Sequence, residues 1–461
     1  MVHNEFISCN VCDTKINLRS QMGYFDIHFK FRCPKCKTQI SGTLKIAERE
    51  NVGYDIKNAC LSSLKKDITD SCCYSIELSA EFPTRKACYR NMSTFDETPF
   101  MRNMRFYDDD WEAFKFVGEA MHFANFIKTR WSEYLSNYEL FWNNQYALLY
   151  DRLEKELAQY EDMPISRVVN ELDAAMALYQ LFVGTTGVSR ILVPNALPEY
   201  TDISKIIVVE EVQNKEMIGY AKSLSPRLNE IERKGFKLID LFSKVYEQLI
   251  PVVALRSANC IDNVDRDQYG IMTTNFEELT DFYAKSYEWI LDNLNIIITL
   301  NNIVKRNDVN ICHNNKEFEE VLSIGSKYKK IDFVGKSEPF SKPMESVRNR
   351  IRNAIQHFES EIDYESQEMI FIDNHRGNMR SEKLYLIDFA SLCIDNFSIV
   401  IYILVLLYNI RRLLLMLSGI VPSCIGKEIS NFEERTKGVK IGRNAPCICG
   451  SKNKYKRCCG K

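Results

Sequence analysis

Arg352, Asn353 and His357 fall in the run RNAIQH, an R-N-x3-H spacing. On a helix, Asn353 and His357 lie one turn apart on one face, and Arg352 stands beside that face, able to swing its guanidinium across. Histidine exchanges a proton near neutral pH. Arginine stays charged and can hold a phosphate bidentately, and asparagine orients an imidazole or binds a phosphate oxygen. Such a trio suits RNA cleavage without a metal ion. The imidazole would deprotonate a ribose 2′-hydroxyl or protonate the leaving 5′-oxygen, and the guanidinium would stabilise the charged phosphorane. Arg348 and Asn349, one turn earlier, extend the polar stripe as candidate RNA-phosphate contacts, with plain solvated surface as the simpler reading.

Eight of the sixteen cysteines are gathered at the chain ends. Cys9, Cys12, Cys33 and Cys36 form two C-x2-C pairs separated by twenty residues. Thiolates two apart on a knuckle turn point at a common centre, and two knuckles on neighbouring strands complete a tetrahedral zinc site of the ribbon type with no open position for catalysis. Cys447, Cys449, Cys458 and Cys459 give C-x-C, eight residues, then C-C. From Glu433 to the end, nine Lys or Arg face two Glu, which suits a polyanion surface; Arg443, Lys454, Lys456 and Arg457 are the candidate contacts there. Zinc at two structural sites is the expected cofactor. Paired cysteines in a chain without a secretion signal at its start read as metal sites in a reducing cytoplasm and not as disulfides.

Other chemistry-bearing residues read as structural. Asp108, Asp109 and Asp110 fit the acidic first turn of a helix. GTTG from Gly184 lacks the lysine of a phosphate-binding loop. His122, His313, His375 and Arg376 read as ordinary helix, loop or turn residues, and Cys72 and Cys73 lack a second pair.

The elements that must carry these residues are mostly helical. YFDIHFKF and QISGTLKIA read as strands of the N-terminal module, CYSIELSAEF as a further strand, and IIVVEEV as a short one. From about Asp110 the apolar residues recur at helical spacing, and GFKLIDLFSKVYEQL resumes it. Asn275 and Glu278 resemble a capping box opening a long helix. A helix from Lys342 to Ser360 would carry the motif, with Val347, Ile351, Ala354, Ile355 and Phe358 on its apolar face. MIFID and KLYLID read as a hairpin, and Asp388 as the cap of a last helix to about Leu417. The apolar run Phe397–Tyr408 is short and meets Arg411 and Arg412, so a buried core or interface helix is expected and no membrane span. The expected organisation is mainly α and multi-domain: 1–48 zinc ribbon, 49–109 mixed β segment, 110–268 helical domain, 269–420 helical bundle, 421–440 linker, 441–461 metal-binding tail. With 60 Lys+Arg against 62 Asp+Glu the formal charge is −2, which excludes a uniformly basic nucleic-acid coat and makes any RNA surface local.

Two resemblances add to this. The tail IGRNAPCICGSKNKYKRCCGK resembles the SEC-C motif found at the end of the preprotein-translocase ATPase and on unrelated bacterial proteins; the resemblance implies zinc on its four cysteines and contact with ribosomes or protein partners. The run RNAIQHFESEID and the helix order from Asn275 to Leu417 resemble the HEPN family, all-α domains with an R-x4-6-H signature. That resemblance implies a metal-independent endoribonuclease with Arg352, Asn353 and His357 as catalytic residues. It further implies a homodimer, an RNA target with tRNA or the ribosome as candidates, and a setting in toxin or anti-phage defence. The hairpin between the last two helices has no counterpart in that scheme. A ribosome- or RNA-associated zinc adaptor without catalysis is the alternative. A DNA-binding regulator is a third reading, lacking a helix-turn-helix or basic recognition helix.

Overall fold

The computed structural model describes residues 2–46, 53–62, 73–86, 88–90, 97–106, 110–160, 163, 165, 167–192, 196–272, 275–336, 338–341, 346–375, 378–423, 454 and 456. The architecture is mainly α with several small sheets. The chain separates into two compact units, residues 1–131 with 183–411, and residues 132–182 with 412–461.

The first unit opens with β structure. Lys15–Gln21 is the middle of a sheet, antiparallel to Val2–Cys9 and parallel to Cys73–Ser79. It is covered on both faces, so its polar residues need partners inside: Asn17 donates to Asn4 Oδ1 (3.0 Å) and Ser75 Oγ (3.3 Å). Ile27–Arg32, Gln39–Lys45 and Gly53–Lys57 form a second sheet. In its first strand Ile27, Phe29 and Phe31 are buried while His28 and Lys30 are half-exposed, the alternation of a strand with one wet face. A Cβ on Gly42 would stand 2.3 Å from Asp55 O, so the close pairing of that sheet requires glycine. The strands read in YFDIHFKF, QISGTLKIA and CYSIELSAEF are present, and the sheets continue beyond residue 48 through Tyr89–Arg90.

Three long helices dominate the rest of this unit: Leu228–Ser257, Phe276–Arg306 and the last helix from Leu386. Their seam is aromatic. Phe242 and Phe397 stack with centroids 3.7 Å apart, and Phe123, Tyr246 and Phe282 close around them. Asn396, fully buried, donates to Ser286 Oγ at 3.1 Å, and Arg411 donates to Glu232 at 2.7 Å. The last helix is long and apolar enough to cross a membrane by length and composition, but 72% of its most apolar window is buried, as expected of a core helix.

Three local readings change. IIVVE, expected as a strand, continues the helix Ala196–Lys205 as a π turn, with Glu211 N–H bonded to Ile206 O; among the described residues no strand pairs with its β-branched residues. Asn275 caps its helix by accepting from Glu277 N–H, but Glu278 does not reach back: its carboxylate accepts from Gln248 Nε2 (2.7 Å), and Gln248 Oε1 takes the Asn275 N–H. The last helix begins at Leu386, with Asp388 in its first turn.

In the second unit, Tyr134 donates to Leu178 O (3.0 Å) and buried Asn137 to Glu156 (3.2 Å). Val421 and Ser423, expected as linker, are tied to Asn170 and Asp173. Cys447, Cys449, Cys458, Cys459, Arg443 and Arg457 lie outside the described residues.

Candidate metal centre and candidate nucleic-acid interface

The two N-terminal cysteine pairs sit in the same six-residue turn, CNVCDT at Cys9 and CPKCKT at Cys33. Each turn joins two antiparallel strands and closes with matching bonds. Cys9 N–H donates to Thr14 O (3.0 Å) and Asp13 N–H to Cys9 O (3.0 Å); Cys33 N–H donates to Thr38 O (2.8 Å) and Lys37 N–H to Cys33 O (3.0 Å). Asp13 (φ 55°) and Lys37 (φ 60°) take the left-handed conformation that each knuckle requires. The four sulfurs lie within 4.8 Å of one another, with Cys9–Cys36 and Cys12–Cys33 each at 3.6 Å. Zn–S bonds of about 2.3 Å give a tetrahedron with edges of about 3.8 Å, so the donor set fits zinc. The thiols are free, and their separation is far beyond a disulfide bond. Four protein donors fill the tetrahedron, which makes this a structural centre joining the two sheets.

The thiols differ. Thr14 Oγ1 lies 3.0 Å from Cys12 Sγ, and this contact together with the Thr14 backbone holds that thiol below its ordinary value. The equivalent Thr38 contact, at 3.2 Å, lowers Cys36 to about 6. Burial raises Cys33 to about 11.

The R-N-x3-H motif lies on the helix Asn349–Gln356, shorter than the expected Lys342–Ser360. Arg348 stands at its start without a side-chain cap, and two phenols anchor that end instead: Tyr283 donates to Arg348 O (3.3 Å) and Tyr287 to Asn349 Oδ1 (3.1 Å). Burial holds both phenols far above their ordinary ionisation range, so they remain donors. At the far end, His357 closes the last turn through its N–H to Asn353 O (3.1 Å). Phe358 then turns left-handed (φ 57°), and the chain enters the strand Ser360–Ile362. This corrects the expected apolar face. Val347, Ile351 and Ala354 are buried, but Phe358 is 95% exposed because its backbone no longer follows the helical period.

Arg352 Nη1 donates to Asn353 Oδ1 (3.0 Å), and its other terminal nitrogen pairs with Glu288. Asn353 and Arg352 open onto a polar cleft of about 1050 Å³. One wall is the hairpin Glu368–His375 and Asn378–Tyr385, which the expected bundle did not account for; it contributes Asp373, Arg380 and Glu382. The opposite wall contributes Glu288, Lys327 and Lys329. Within the cleft, Arg350 faces Glu382 at 3.6 Å and Lys327 pairs with Asp292. Arg348, Lys329 and Arg380 are exposed, and none pairs with a carboxylate among the described residues. His357 is exposed and does not line the cleft; its ring makes no hydrogen bond or ion pair among the described residues. The structure thus brings Arg348, Arg352 and Asn353 together in one cleft, and leaves His357 at the end of the same helix. Sequence reading missed Lys329 and Arg380. The signal for Arg380 was the hairpin register, which sets it opposite Asp373.

Residues 443–461 match the SEC-C motif. The chain is 76% identical over 39 residues to the protein translocase subunit SecA of Finegoldia magna, covering 8% of this chain and 4% of that one. It is 47% identical over 53 residues to SecA of Borreliella afzelii, covering 12% and 6%. A UPF0225 protein of Vibrio parahaemolyticus is 39% identical over 44 residues, covering 10% of this chain and 26% of its own. This chain therefore spans only a small part of these relatives. No solved structure matches it. With the four-cysteine cluster, the match gives the protein two modules fitted to zinc.

Within the SEC-C segment, Lys454 is exposed and Lys456 half-buried. The residues read as structural behave as follows. His122 bonds Thr185 O, His313 Nδ1 lies 3.0 Å from Glu338, and Cys73 is buried. Asp110 begins the helix Asp110–Thr129. Asp108, Asp109, Cys72 and Arg376 lie outside the described residues.

Proposed function

We propose that the protein is a cytoplasmic RNA-cleaving enzyme of HEPN type that works without a catalytic metal, with two structural zinc sites at its ends. What supports this is the cleft in which the exposed cations Arg348, Lys329 and Arg380 make no ion pair among the described residues and stand beside Arg352 and Asn353, at the end of whose helix His357 is open to solvent. Phosphates take up the three free cations. The 2′-oxygen attacks phosphorus while His357 accepts its proton; the bond to the 5′-oxygen breaks and that oxygen leaves with a proton from solvent, giving a 2′,3′-cyclic phosphate. Arg352 neutralises the phosphorane once phosphate displaces it from Glu288, and Asn353 holds the guanidinium in place. Two protomers would pair as in the family, in a defence or toxin setting against tRNA or ribosomal RNA.

A second reading, a non-catalytic RNA- or ribosome-associated adaptor, draws on two observations: Arg352 is already paired with Glu288, and His357 lies outside the cleft lining. One experiment separates the two. RNA is incubated in EDTA with the wild type, His357→Ala and Arg352→Ala, with zinc content measured afterwards. Enzymatic function predicts cyclic-phosphate ends from the wild type and a fall of about 10²–10⁴-fold in His357→Ala. Intact RNA held tightly by the wild type supports the adaptor and overturns the enzyme.

A further inference from the structure

The cleft has a neighbour of opposite character. An apolar groove of about 800 Å³ lies on the other side of the Arg352–Glu288 pair, and those two residues line both. Leu238, Leu241, Trp289 and Ile355 line it together with Phe358. Phe358 is a costly residue as placed. Its ring is 95% exposed, and its backbone holds φ 57°, a conformation that penalises a side chain. Two hydrogen bonds fix that conformation: Phe358 N–H to Ile355 O (3.2 Å) and Glu359 N–H to Ala354 O (2.8 Å). Trp289, 7% exposed, carries an indole N–H with no acceptor among the described residues. By count the groove's lining is balanced, with Lys234, Lys237, Lys285 and Arg352 against four carboxylates. It therefore offers no net attraction for a phosphate, but it offers apolar area, an aromatic face and an unused donor to a neutral heterocycle.

A cation-rich cleft joined to an aromatic, charge-balanced groove has the two halves that an unpaired nucleotide strand needs. We propose that the ligand is a single-stranded nucleic acid: its phosphate lies among Arg348, Lys329 and Arg380 while the adjoining base unstacks onto Phe358 and enters the groove. This rests on the cleft binding phosphates, and it adds strand state and base stacking to that reading. A duplex keeps its base faces covered and reaches only the cleft.

The probe is a 2′-O-methyl oligonucleotide carrying 2-aminopurine, which 2′-hydroxyl attack cannot cut, so binding is read apart from cleavage. The wild type is expected to quench the 2-aminopurine on binding. Phe358→Ala should lose the quench and bind about tenfold more weakly, the size of one base–aromatic stack, while Phe358→Tyr restores both. The ring is exposed, so neither change removes a packing contact. The complementary duplex should bind more weakly and without quench. A matched DNA strand, tested alongside, tells whether the sugar matters. The proposal is overturned if Phe358→Ala binds and quenches like the wild type, if the duplex competes as well as the single strand, or if the substitution alters only self-association in sedimentation. Arg380→Ala keeps the two readings apart. Binding that depends on Arg380 but not Phe358 removes the base site alone, whereas no binding by the wild type removes the cleft reading as well.

Discussion

Phe358 carries the clearest conflict between a residue and its position. An L-residue in the left-handed region costs about 1–2 kcal/mol, and this one has almost no packing to offset it. Phe358→Gly is therefore expected to raise stability in urea titration by about 0.5–1 kcal/mol, less than the full strain because glycine also gains freedom in the unfolded chain. A fall in stability would mean that the ring packs in solution. The opposite case is Glu77 with Arg102, both 3% exposed and joined by two bonds of 2.7 and 2.8 Å. Arg102→Met leaves a buried carboxylate without its cation and should cost about 3–5 kcal/mol, with part recovered in the double variant Glu77→Leu/Arg102→Met. Neither residue stood out in the sequence. Phe358 fell on the apolar face because helical spacing assumes the helix continues, and nothing in HFES marks its end at Gln356. Glu77 and Arg102 meet only through tertiary packing, which spacing cannot express. The N-terminal cysteine pairs were legible because metal-ligand chemistry is written in short-range spacing, and Arg352 and Asn353 share a cleft because they are neighbours on one helix.

The two zinc knuckles show what an element contributes. Each C-x2-C-x-T turn is a local design, repeated on two strand pairs, and its metal-binding form was readable without the fold. The sheets around it were readable as strands but not as partners, since the parallel pairing of Lys15–Gln21 with Cys73–Ser79 spans a long stretch of chain. Cys36→Ser should lower the zinc bound per chain by one in a metal assay and unfold both N-terminal sheets. A variant that binds as much zinc as the wild type would place the ion elsewhere. Retention should also depend on pH. At neutral pH the metal must displace the proton that burial keeps on Cys33, near 11, whereas Cys36, near 6, is already mostly thiolate. Lowering the pH through about 6 protonates Cys36 too and adds a proton to be displaced, so zinc loss should steepen there and retention strengthen toward alkaline pH. A loss profile without that change of slope would show that Cys36 is not the low-lying thiol.

At the scale of the whole molecule, a formal charge of −2 means that attraction for a polyanion must come from where the cations sit and not from their number. Half of the described cations that line the cleft are spoken for: Arg352 by Glu288, Arg350 by Glu382, Lys327 by Asp292. Only unpaired cations release counterions from a bound strand in full, and among the described residues Arg348, Lys329 and Arg380 in the cleft make no ion pair. Each phosphate neutralised on a single strand adds about 0.7 to the slope of log affinity against log salt, so three give a slope near −2 for the cleft. Arg380→Ala should make the slope about 0.7 shallower, because it removes one uncompensated charge. Arg350→Ala should change it less, because its charge is already shared with Glu382. Phe358→Ala should lower affinity equally at every salt concentration and leave the slope alone, since stacking releases no ions. If Arg380→Ala and Phe358→Ala shift the line in the same way, the division between a phosphate cleft and a base groove does not hold, and the strand is gripped by some other surface of the chain.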